Sequence, residues 1–230
     1  MASLKKNETW EFVPLPEGVK PVDCKWLFRI KDGISEDDPP KYKLRLVARG
    51  FSQKEGIDYN EVFSPVVKHK SIRVLLAMVS IFNLELDQLD VKTAFLLGNL
   101  EEEIDMKQLE GFVDSEKPDH ICLLKKSLYG LKQSPRQWYK RFDAFMISHD
   151  FIQNQYDSCV YFKTLSDGSF IYLLLYVDDM LIAAKNRAEI NKLKQLLNSE
   201  FEMKDLGAAK KILGMEIWRD RDAGLLYVSQ

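Results

Sequence analysis

The sequence predicts an α+β fold in which helices pack against one face of an antiparallel sheet. Segments that alternate apolar and polar residues predict β-strands, and segments with apolar residues three and four positions apart predict amphipathic helices. Both patterns recur over the 230 residues, with helices interspersed among hairpins. No apolar run approaches the roughly 20 residues that cross a bilayer, so we expect an intracellular globular protein without a membrane span.

The first third of the chain is predicted to be β-rich. Residues 26–30 form a strand candidate, and turn-forming residues follow at Asp32-Gly33. In the next strand, apolar residues alternate with Lys43, Arg45 and Arg49. Because strand side chains alternate between two faces, these three cations share one face. That face is either the solvated side of a hairpin or part of a basic groove.

The rest of the chain is predicted to contain three helices, a single strand and two hairpins. In chain order we expect a helix at 71–82, a strand at 84–91, a helix from Ser134-Pro135, two strands within 170–184, a helix at 187–201 and a hairpin at 212–230. The helix at Ser134-Pro135 is predicted because serine caps helix N-termini and proline fits the first turn.

Two adjacent acids, Asp178 and Asp179, lie where the two apolar strands of 170–184 meet. Like charges repel, and a divalent cation would relieve that repulsion. Magnesium prefers carboxylate oxygens, and a third carboxylate would allow two ions to sit about 3.5–4 Å apart. Asp90, at the end of the strand at 84–91, is the best candidate for it. The alternatives are a solvated turn for the pair and a helix cap or surface acid for Asp90.

The charges are segregated along the chain, although the formal net charge is only −2. Residues 41–49 carry four cations and no acid, and residues 125–141 carry six cations and no acid, interleaved with aromatic residues. The net charge alone argues against nucleic-acid binding, but such segregation allows a basic groove in a neutral protein.

The cysteines and tryptophans are expected to be structural. The three cysteines are widely spaced and odd in number, which indicates core thiols rather than a disulfide framework or a zinc site. Trp10, Trp26 and Trp218 are expected in the core rather than as base-stacking platforms.

Two motifs connect the acids to a known family. Tyr176-Val177-Asp178-Asp179 resembles the catalytic motif of reverse transcriptases, and residues 88–96 resemble the first-aspartate motif of Ty/copia-type retrotransposon enzymes. Further strings resemble that family in the same order: 7–10, 24–26, 45–51, 56–59, 63–66, 123–138, 201–207 and 213–216. The chain therefore resembles the reverse transcriptase (RNA-dependent DNA polymerase) domain of Ty/copia-type LTR retrotransposon Pol polyproteins.

The resemblance implies the fingers and palm of a right-hand polymerase, with an antiparallel palm sheet backed by helices and the thumb largely absent. Residues 1–230 would be one reverse transcriptase domain, in which about 1–83 are mainly fingers and about 84–230 mainly palm, with a basic segment at 123–141. The implied activity is RNA-directed DNA synthesis, in which two Mg²⁺ ions, or Mn²⁺ instead, support nucleotidyl transfer from a deoxynucleoside triphosphate to a primer 3′-hydroxyl.

The implied partners are an RNA or DNA template-primer, deoxynucleotides, other Pol segments such as integrase and RNase H, and capsid protein. The implied location is the cytoplasm, within virus-like particles, or the nucleus. A second hypothesis is a catalytically silent, degenerate element copy that at most binds nucleic acid. It is motivated by departures from the family pattern at Leu97, Asp105, Leu109 and Asp150, the last where glycine usually ends a helix.

The resemblance also assigns site residues. The catalytic carboxylates would be Asp90, Asp178 and Asp179, with metal held by Asp90, Asp178 and the backbone carbonyl of Val91, and with Asp179 in support. The nucleotide-binding residues would be Lys43, Arg45, Arg49, Phe95, Tyr129 and Gly130. The template-primer residues would be Lys132, Gln133, Tyr176, Gly214 and Met215.

Two of these assignments have a specific rationale. Phe95 would block the ribose 2′-hydroxyl by a steric clash, and its alternative is a core aromatic. Gly130 would let the backbone approach nucleic acid closely, because glycine has no side chain.

Overall fold

The structure is a computed structural model that describes residues 2–31 and 40–229. The predicted turn at Asp32-Gly33 lies outside the described residues. The helices are α1 (Ala2–Lys6), α2 (His69–Ile81), α3 (Ser134–Ser148) and α4 (Arg187–Glu200). The strands are β1 (Trp10–Pro14), β2 (Cys24–Lys31), β3 (Lys41–Ala48), β4 (Glu85–Val91), β5 (Asn99–Met106), β6 (His120–Lys126), β7 (Ile152–Gln153), β8 (Val160–Thr164), β9 (Phe170–Tyr176), β10 (Asp179–Ala184), β11 (Met203–Ala208), β12 (Lys211–Ile212), β13 (Met215–Asp220) and β14 (Leu225–Ser229).

The predicted α+β class is confirmed, and the pairings between these strands are antiparallel. The three predicted long helices correspond to α2, α3 and α4, and the apolar run at 170–184 forms the hairpin β9–β10. Strands β1, β5, β6, β7, β8 and β11 were not predicted. In the described residues no helix is long and apolar enough to cross a bilayer.

The chain divides into two compact units. Unit 1 comprises Met1–Ser64 and Phe95–Arg141, and unit 2 comprises Pro65–Ala94 and Phe142–Gln230. Unit 1 contains the sheet β1-β6-β5 and the hairpin β2–β3. Its core joins residues of β3, β5 and β6, with Leu46, Ile104 and Leu124 fully or almost fully buried. The end of β3 is thereby fixed against the segment that follows β6.

Unit 2 is built on a six-stranded sheet in the order β11-β4-β10-β9-β8-β7. Strand β4 lies inside this sheet, with β10 on one side and β11 on the other, and α4 packs against β10 and β11. The apolar residues of β9 and β10 are buried on both faces, which explains why their sequence is nearly continuous in apolar residues. A separate sheet, β12-β13-β14, completes the unit.

Candidate active site

Two of the three predicted catalytic carboxylates are direct neighbours across adjacent strands of unit 2. Asp90, in β4, is the register partner of Asp179, the first residue of β10. Directly opposed residues in an antiparallel pair project from the same face of the sheet, with Cβ atoms about 4.5–5.5 Å apart. The third carboxylate, Asp178, lies in the turn before β10, and its carbonyl oxygen accepts a hydrogen bond from the Val91 N–H at 2.8 Å. The structure therefore brings the acidic pair to the end of the strand that carries Asp90.

Asp90 and Asp179 project from the sheet face opposite the one against which α4 packs. On the other face, the Lys194 ammonium of α4 bonds to both Asp87 and Asp205. Asp87 and Asp90 are three residues apart in one strand, so their side chains point to opposite faces. On the face of Asp90 and Asp179, the Gln88 Nε2 donates to Asp179 Oδ1 at 3.3 Å. This bond helps to orient one carboxylate before any ligand binds.

The turn between β9 and β10 has a strained residue. It consists of Val177 and Asp178, and of these two only Val177 has a positive φ, of 54°. A β-branched residue in that region is rare and costs roughly 1–3 kcal/mol. Positive φ at the first of two turn residues is the pattern of a type II′ turn, which matches the twist of the flanking strands. The turn sets where Asp178 and Asp179 leave the hairpin.

The donor chemistry fits a divalent cation of the Mg²⁺ type. In the described parts of the chain, no three acidic, histidine or cysteine side chains are arranged to enclose a metal ion. Magnesium, however, is usually held by one or two carboxylates together with water and substrate phosphate. The in-register carboxylates of Asp90 and Asp179 could supply two such ligands, and Asp178 places a third carboxylate at the adjoining turn.

Three predicted nucleotide-binding residues contact one another in unit 1. The guanidinium carbon of Arg45 lies 5.2 Å from the Tyr129 ring centroid, within cation–π range. The Phe95 ring packs against Tyr129, with the two ring centroids 4.9 Å apart. All three side chains are half-buried. Phe95 is therefore held by an aromatic neighbour and is also partly exposed. This position fits both the predicted steric role and the alternative of a packed aromatic.

The other two predicted fingers cations lie outside this cluster. Lys43 is exposed and shares the face of Arg45, because it lies two residues before it in β3. Its register partner in β2 is Arg29, which adds a further cation to that face. Arg49 follows the end of β3 and is exposed.

Gly130 makes its close approach to the protein's own backbone. Its φ is +92°, and an added Cβ would lie 2.1 Å from the Ala48 carbonyl oxygen. An added Cβ at Gly50 would likewise lie 2.0 Å from the Gly130 carbonyl oxygen. The Ala48 N–H donates to the Tyr129 carbonyl at 2.8 Å. The tight junction between the end of β3 and Tyr129 is thus by itself a structural requirement for glycine at this position.

Gln133 is fully buried, so the structure does not place it on a surface. Its Oε1 accepts from Gln53 Nε2 at 3.0 Å, and its Nε2 donates to the Asp58 carbonyl at 2.9 Å. Gln53 also accepts from the Lys132 N–H at 2.9 Å through Oε1 and from Lys132 Nζ at 3.2 Å through its carbonyl. Sequence reasoning missed Gln53, because a lone polar residue after a cationic strand carries no signal of burial.

The remaining predicted template-primer residues lie in unit 2. Tyr176 is half-buried at the end of β9 and is the register partner of Asp179. Gly214 is exposed in the two-residue turn between β12 and β13, where both Leu213 and Gly214 have positive φ. Met215 is buried at the start of β13. Gly214 is therefore the accessible member of the Gly214–Met215 pair.

The cysteine prediction and one tryptophan prediction have different outcomes. Cys122 and Cys159 are buried, and burial raises the pKa of each thiol to about 12. Cys24 is half-buried, with its pKa raised to about 11, again mainly by burial. These thiols stay protonated and unreactive near neutral pH. The prediction of a core position is wrong for Trp218, which is 61% exposed. Its ring centroid lies 5.1 Å from that of Tyr227 in the adjacent strand β14, and the two rings are tilted.

Comparisons with known proteins agree with the geometry. The family model described as "Reverse transcriptase (RNA-dependent DNA polymerase)" matches residues 7–230. The chain is 54% identical over its whole length to the "Retrovirus-related Pol polyprotein from transposon TNT 1-94" of Nicotiana tabacum, of which it covers 17%. It is 40% identical over 93% of its length to the Pol polyprotein from transposon RE2 of Arabidopsis thaliana, of which it covers 15%. The chain thus spans a small part of these relatives.

Among solved structures, the chain is similar to a foamy viral protease-reverse transcriptase in complex with double-stranded DNA. The sequence identity is 11% and the TM-score is 0.42, and the match covers 93% of this chain and 32% of that one.

Proposed function

Because the chain belongs to the reverse transcriptase (RNA-dependent DNA polymerase) family, in the form found in transposon Pol polyproteins, we propose that it extends a primer 3′-hydroxyl with deoxynucleotides on an RNA or DNA template. The observation that carries the proposal is the register pair Asp90–Asp179 on the sheet face opposite α4. In a member of this family, two carboxylates so placed have the chemistry that nucleotidyl transfer requires.

The metal-binding role falls to the acidic residues of unit 2. Asp90, Asp178 and Asp179 would hold Mg²⁺ or Mn²⁺, two ions in the working enzyme. When bound, these ions activate the 3′-hydroxyl and neutralise the charge of the triphosphate. The turn at Val177 and the hydrogen bond from Gln88 to Asp179 preset the carboxylates, so that less reorganisation is needed when ligands bind.

The nucleotide-binding role falls to unit 1. Lys43, Arg45 and Arg49 would bind phosphate, and arginine can do so through two parallel hydrogen bonds. Tyr129 contacts both Arg45 and Phe95, so both residues are held in place. Phe95 would then exclude a ribose 2′-hydroxyl by contact with C2′. The remaining assigned residues, Gly130, Lys132, Gln133, Tyr176, Gly214 and Met215, would support the nucleotide and the template-primer.

We also propose that residues of about 1–83 are mainly fingers and residues of about 84–230 mainly palm, with a basic fingers/palm segment at 123–141. The two compact units divide the chain differently, because α2 belongs to unit 2 and residues 95–141 belong to unit 1. Since the relatives are Pol polyproteins, we further propose that the chain works with integrase, RNase H and capsid protein in the cytoplasm or the nucleus.

Primer extension tests the proposal. The purified chain is given an RNA template, a DNA primer, deoxynucleotides and Mg²⁺, and incorporation is compared among the wild type, Asp90→Asn, Asp178→Asn and Asp222→Asn. Asp222 is an exposed acid of the same unit, outside the candidate site, and serves as the matched control. We expect incorporation by the wild type and the control, and a loss of about 100-fold or more in the two site variants, because each removes a ligand charge.

Equal incorporation in all four proteins, or incorporation that survives EDTA, contradicts the proposal. Absence of incorporation, with template-primer still bound in a salt-dependent way, favours the silent nucleic-acid-binding copy instead, because counterion release requires only cations.

A further inference from the structure

Lys204 is a cation in the same row of the sheet as the predicted metal ligands. In unit 2, β4 lies between β10 and β11, and Asp90 has a direct partner on each side. On β10 the partner is Asp179, and on β11 it is Lys204. Three neighbouring strands therefore present Asp179, Asp90 and Lys204 in register. Because directly opposed residues share a face, all three side chains project from one side of the sheet.

Contacts of the next residue confirm which side this is. Asp205, immediately after Lys204, bonds to Lys194 of α4 at 2.8 Å, so it faces the helix. Lys204 therefore faces away from α4, as Asp90 does, and it is exposed. Adjacent strands are about 4.8 Å apart, which places the backbone of Lys204 one strand spacing from that of Asp90 and two from that of Asp179.

A cation at this distance has two opposite effects on the carboxylates. Without metal, it offsets the repulsion between Asp90 and Asp179 and so favours the folded arrangement. With a divalent cation present, it repels that ion and lowers the affinity of the site. Two other lysines of the unit that lie near the sheet pair with carboxylates: Lys92 with Glu202 at 2.9 Å, and Lys194 with Asp87 and Asp205.

We propose that Lys204 holds the affinity of the Asp90–Asp179 site for a free divalent cation low, so that tight metal binding requires the negative charge of a nucleotide triphosphate. The proposal rests on the metal assignment made under the proposed function. It makes Lys204 a residue that couples metal binding to nucleotide binding, a role distinct from metal ligation.

Mn²⁺ titration followed by electron paramagnetic resonance tests this in the absence of nucleotide, at low ionic strength. The proteins are the wild type, Lys204→Gln, Lys204→Arg, Asp90→Asn and Lys192→Gln. Lys192 is the matched control, because it lies exposed on α4 and changes the net charge equally when replaced. We expect Mn²⁺ to bind about 3- to 10-fold more tightly to Lys204→Gln, while Lys204→Arg and Lys192→Gln resemble the wild type. Asp90→Asn weakens binding and so identifies the site.

Thermal unfolding gives a second readout. In EDTA, Lys204→Gln unfolds at a lower temperature than the wild type, because the carboxylate repulsion is no longer offset. Saturating Mn²⁺ then raises the unfolding temperature of Lys204→Gln by more than that of the wild type. The reason is that, at one ligand concentration, the stabilisation of the folded state increases with the affinity of the ligand.

Three results overturn the inference: Mn²⁺ binding no tighter in Lys204→Gln than in the wild type, an equal gain in Lys192→Gln, or no binding by any of the proteins. The outcome is separable from that of primer extension. If the chain incorporates no nucleotide yet its Mn²⁺ affinity depends on Lys204, the polymerase proposal fails and this one stands. If incorporation depends on Asp90 but Mn²⁺ affinity does not change in Lys204→Gln, the polymerase proposal stands and this one fails.

Discussion

Gly130 shows how a single residue can fix the relation between two segments that carry candidate functional groups. It lies beside Tyr129, whose carbonyl accepts from Ala48 at the end of β3, the strand of Arg45. The junction has no room for a side chain, since a Cβ on Gly130 would meet a backbone oxygen that cannot move aside. The stacking of Arg45 on Tyr129 therefore depends on a residue that has no side chain.

Replacing Gly130 by alanine should lower the free energy of unfolding by more than about 3 kcal/mol. The new Cβ would lie 2.1 Å from the Ala48 carbonyl oxygen, and the φ of +92° is unfavourable for any side chain. Urea unfolding followed by circular dichroism measures the change. Gly168→Ala is the matched control, because Gly168 has φ of +81° with no atom within 4 Å of the added Cβ, so only the cost of φ, about 1 kcal/mol, remains. Equal losses in the two variants would show that the close contact contributes nothing.

Sequence reasoning at this scale picked out the three acids that the structure brings together. It missed residues that contact or lie beside the predicted site residues. Asp90, Asp178 and Asp179 are found from the motifs around them. Gln53 and Lys204 are not, because their importance depends on which segments lie next to each other. Lys204 lies more than one hundred residues from its register partner Asp90, and no local pattern reports that pairing.

At the scale of elements, α2 and α3 both end within unit 2, and they end in the same motif. After α3, the Phe151 N–H donates to the Met146 carbonyl and the Asp150 N–H to the Ile147 carbonyl, with Asp150 at φ of +62°. These two bonds and the left-handed residue define a Schellman motif. After α2, Asn83 has φ of +48° and Leu84 donates to Val79 in the same way. Asp150 is thus in a glycine-type position, as its departure from the family pattern indicated.

Asp150→Gly should raise the free energy of unfolding by about 0.5–1 kcal/mol, because glycine adopts positive φ without a steric cost that aspartate pays. The loss of the Lys163–Asp150 ion pair, 3.4 Å long and largely exposed, should subtract little. Thermal and urea unfolding measure the gain. Asp150→Ala separates the two effects, since it loses the ion pair but keeps the Cβ, and it should be no more stable than the wild type. A less stable Asp150→Gly protein would contradict the steric explanation.

Helices and the β9–β10 hairpin were predictable because their apolar patterns are local. Strand β11 was not, because its sequence Met-Lys-Asp-Leu-Gly-Ala does not alternate cleanly and its register shifts between Asp205 and Gly207. Its position beside β4 is stabilised by charges that sequence alone does not reveal. Lys194 bridges the buried Asp87 of β4 to Asp205 of β11, and Arg187 also bonds to Asp87. Breaking such a buried pair is far more costly than losing a surface pair.

At the scale of the whole molecule, the formal net charge of −2 conceals many local pairings. In unit 2, burial alone would raise the pKa of Glu85, but hydrogen bonds and charges from Arg221 and Arg187 outweigh it and hold that pKa below its usual value. Burial likewise acts to raise the pKa of Asp205, but hydrogen bonds from Lys194 and the Gly207 N–H, together with the charges of Lys194 and Arg187, outweigh it and lower that pKa. In unit 1, hydrogen bonds from lysines lower the pKa of Asp23 and of Glu101.

These shifts predict that the protein loses stability in acid. A carboxyl whose pKa is lower in the folded than in the unfolded chain contributes stability above its unfolded value, here 4.5 for Glu and 3.8 for Asp, and loses it as pH falls through the folded value. Asp105 acts in the opposite sense, because burial raises its pKa. Among the described residues, five carboxyls have a lowered pKa and one has a raised pKa; the fifth is Asp167, whose pKa is lowered by hydrogen bonds from the Ser169 hydroxyl and N–H. The net effect is a loss of stability in acid, which we expect to be about 1–2 kcal/mol because most of the pairs are half-exposed and the fully exposed Asp167 contributes little.

Urea unfolding at pH 7, 5, 4 and 3 checks this prediction. The free energy of unfolding should be nearly constant from pH 7 to about 5.5 and then fall, and Glu85→Gln should flatten the decline because it removes a titrating group from the least exposed of these pairs. Asp222 is an exposed acid with no assigned role in the site. Asp222→Asn should therefore leave the decline of the unfolding free energy with falling pH unchanged. Added salt should reduce the decline only in part, since Glu85 is largely shielded from solvent whereas the surface pairs are screened. Stability that rises between pH 5 and pH 3 would mean that burial, as at Asp105, outweighs pairing across the molecule.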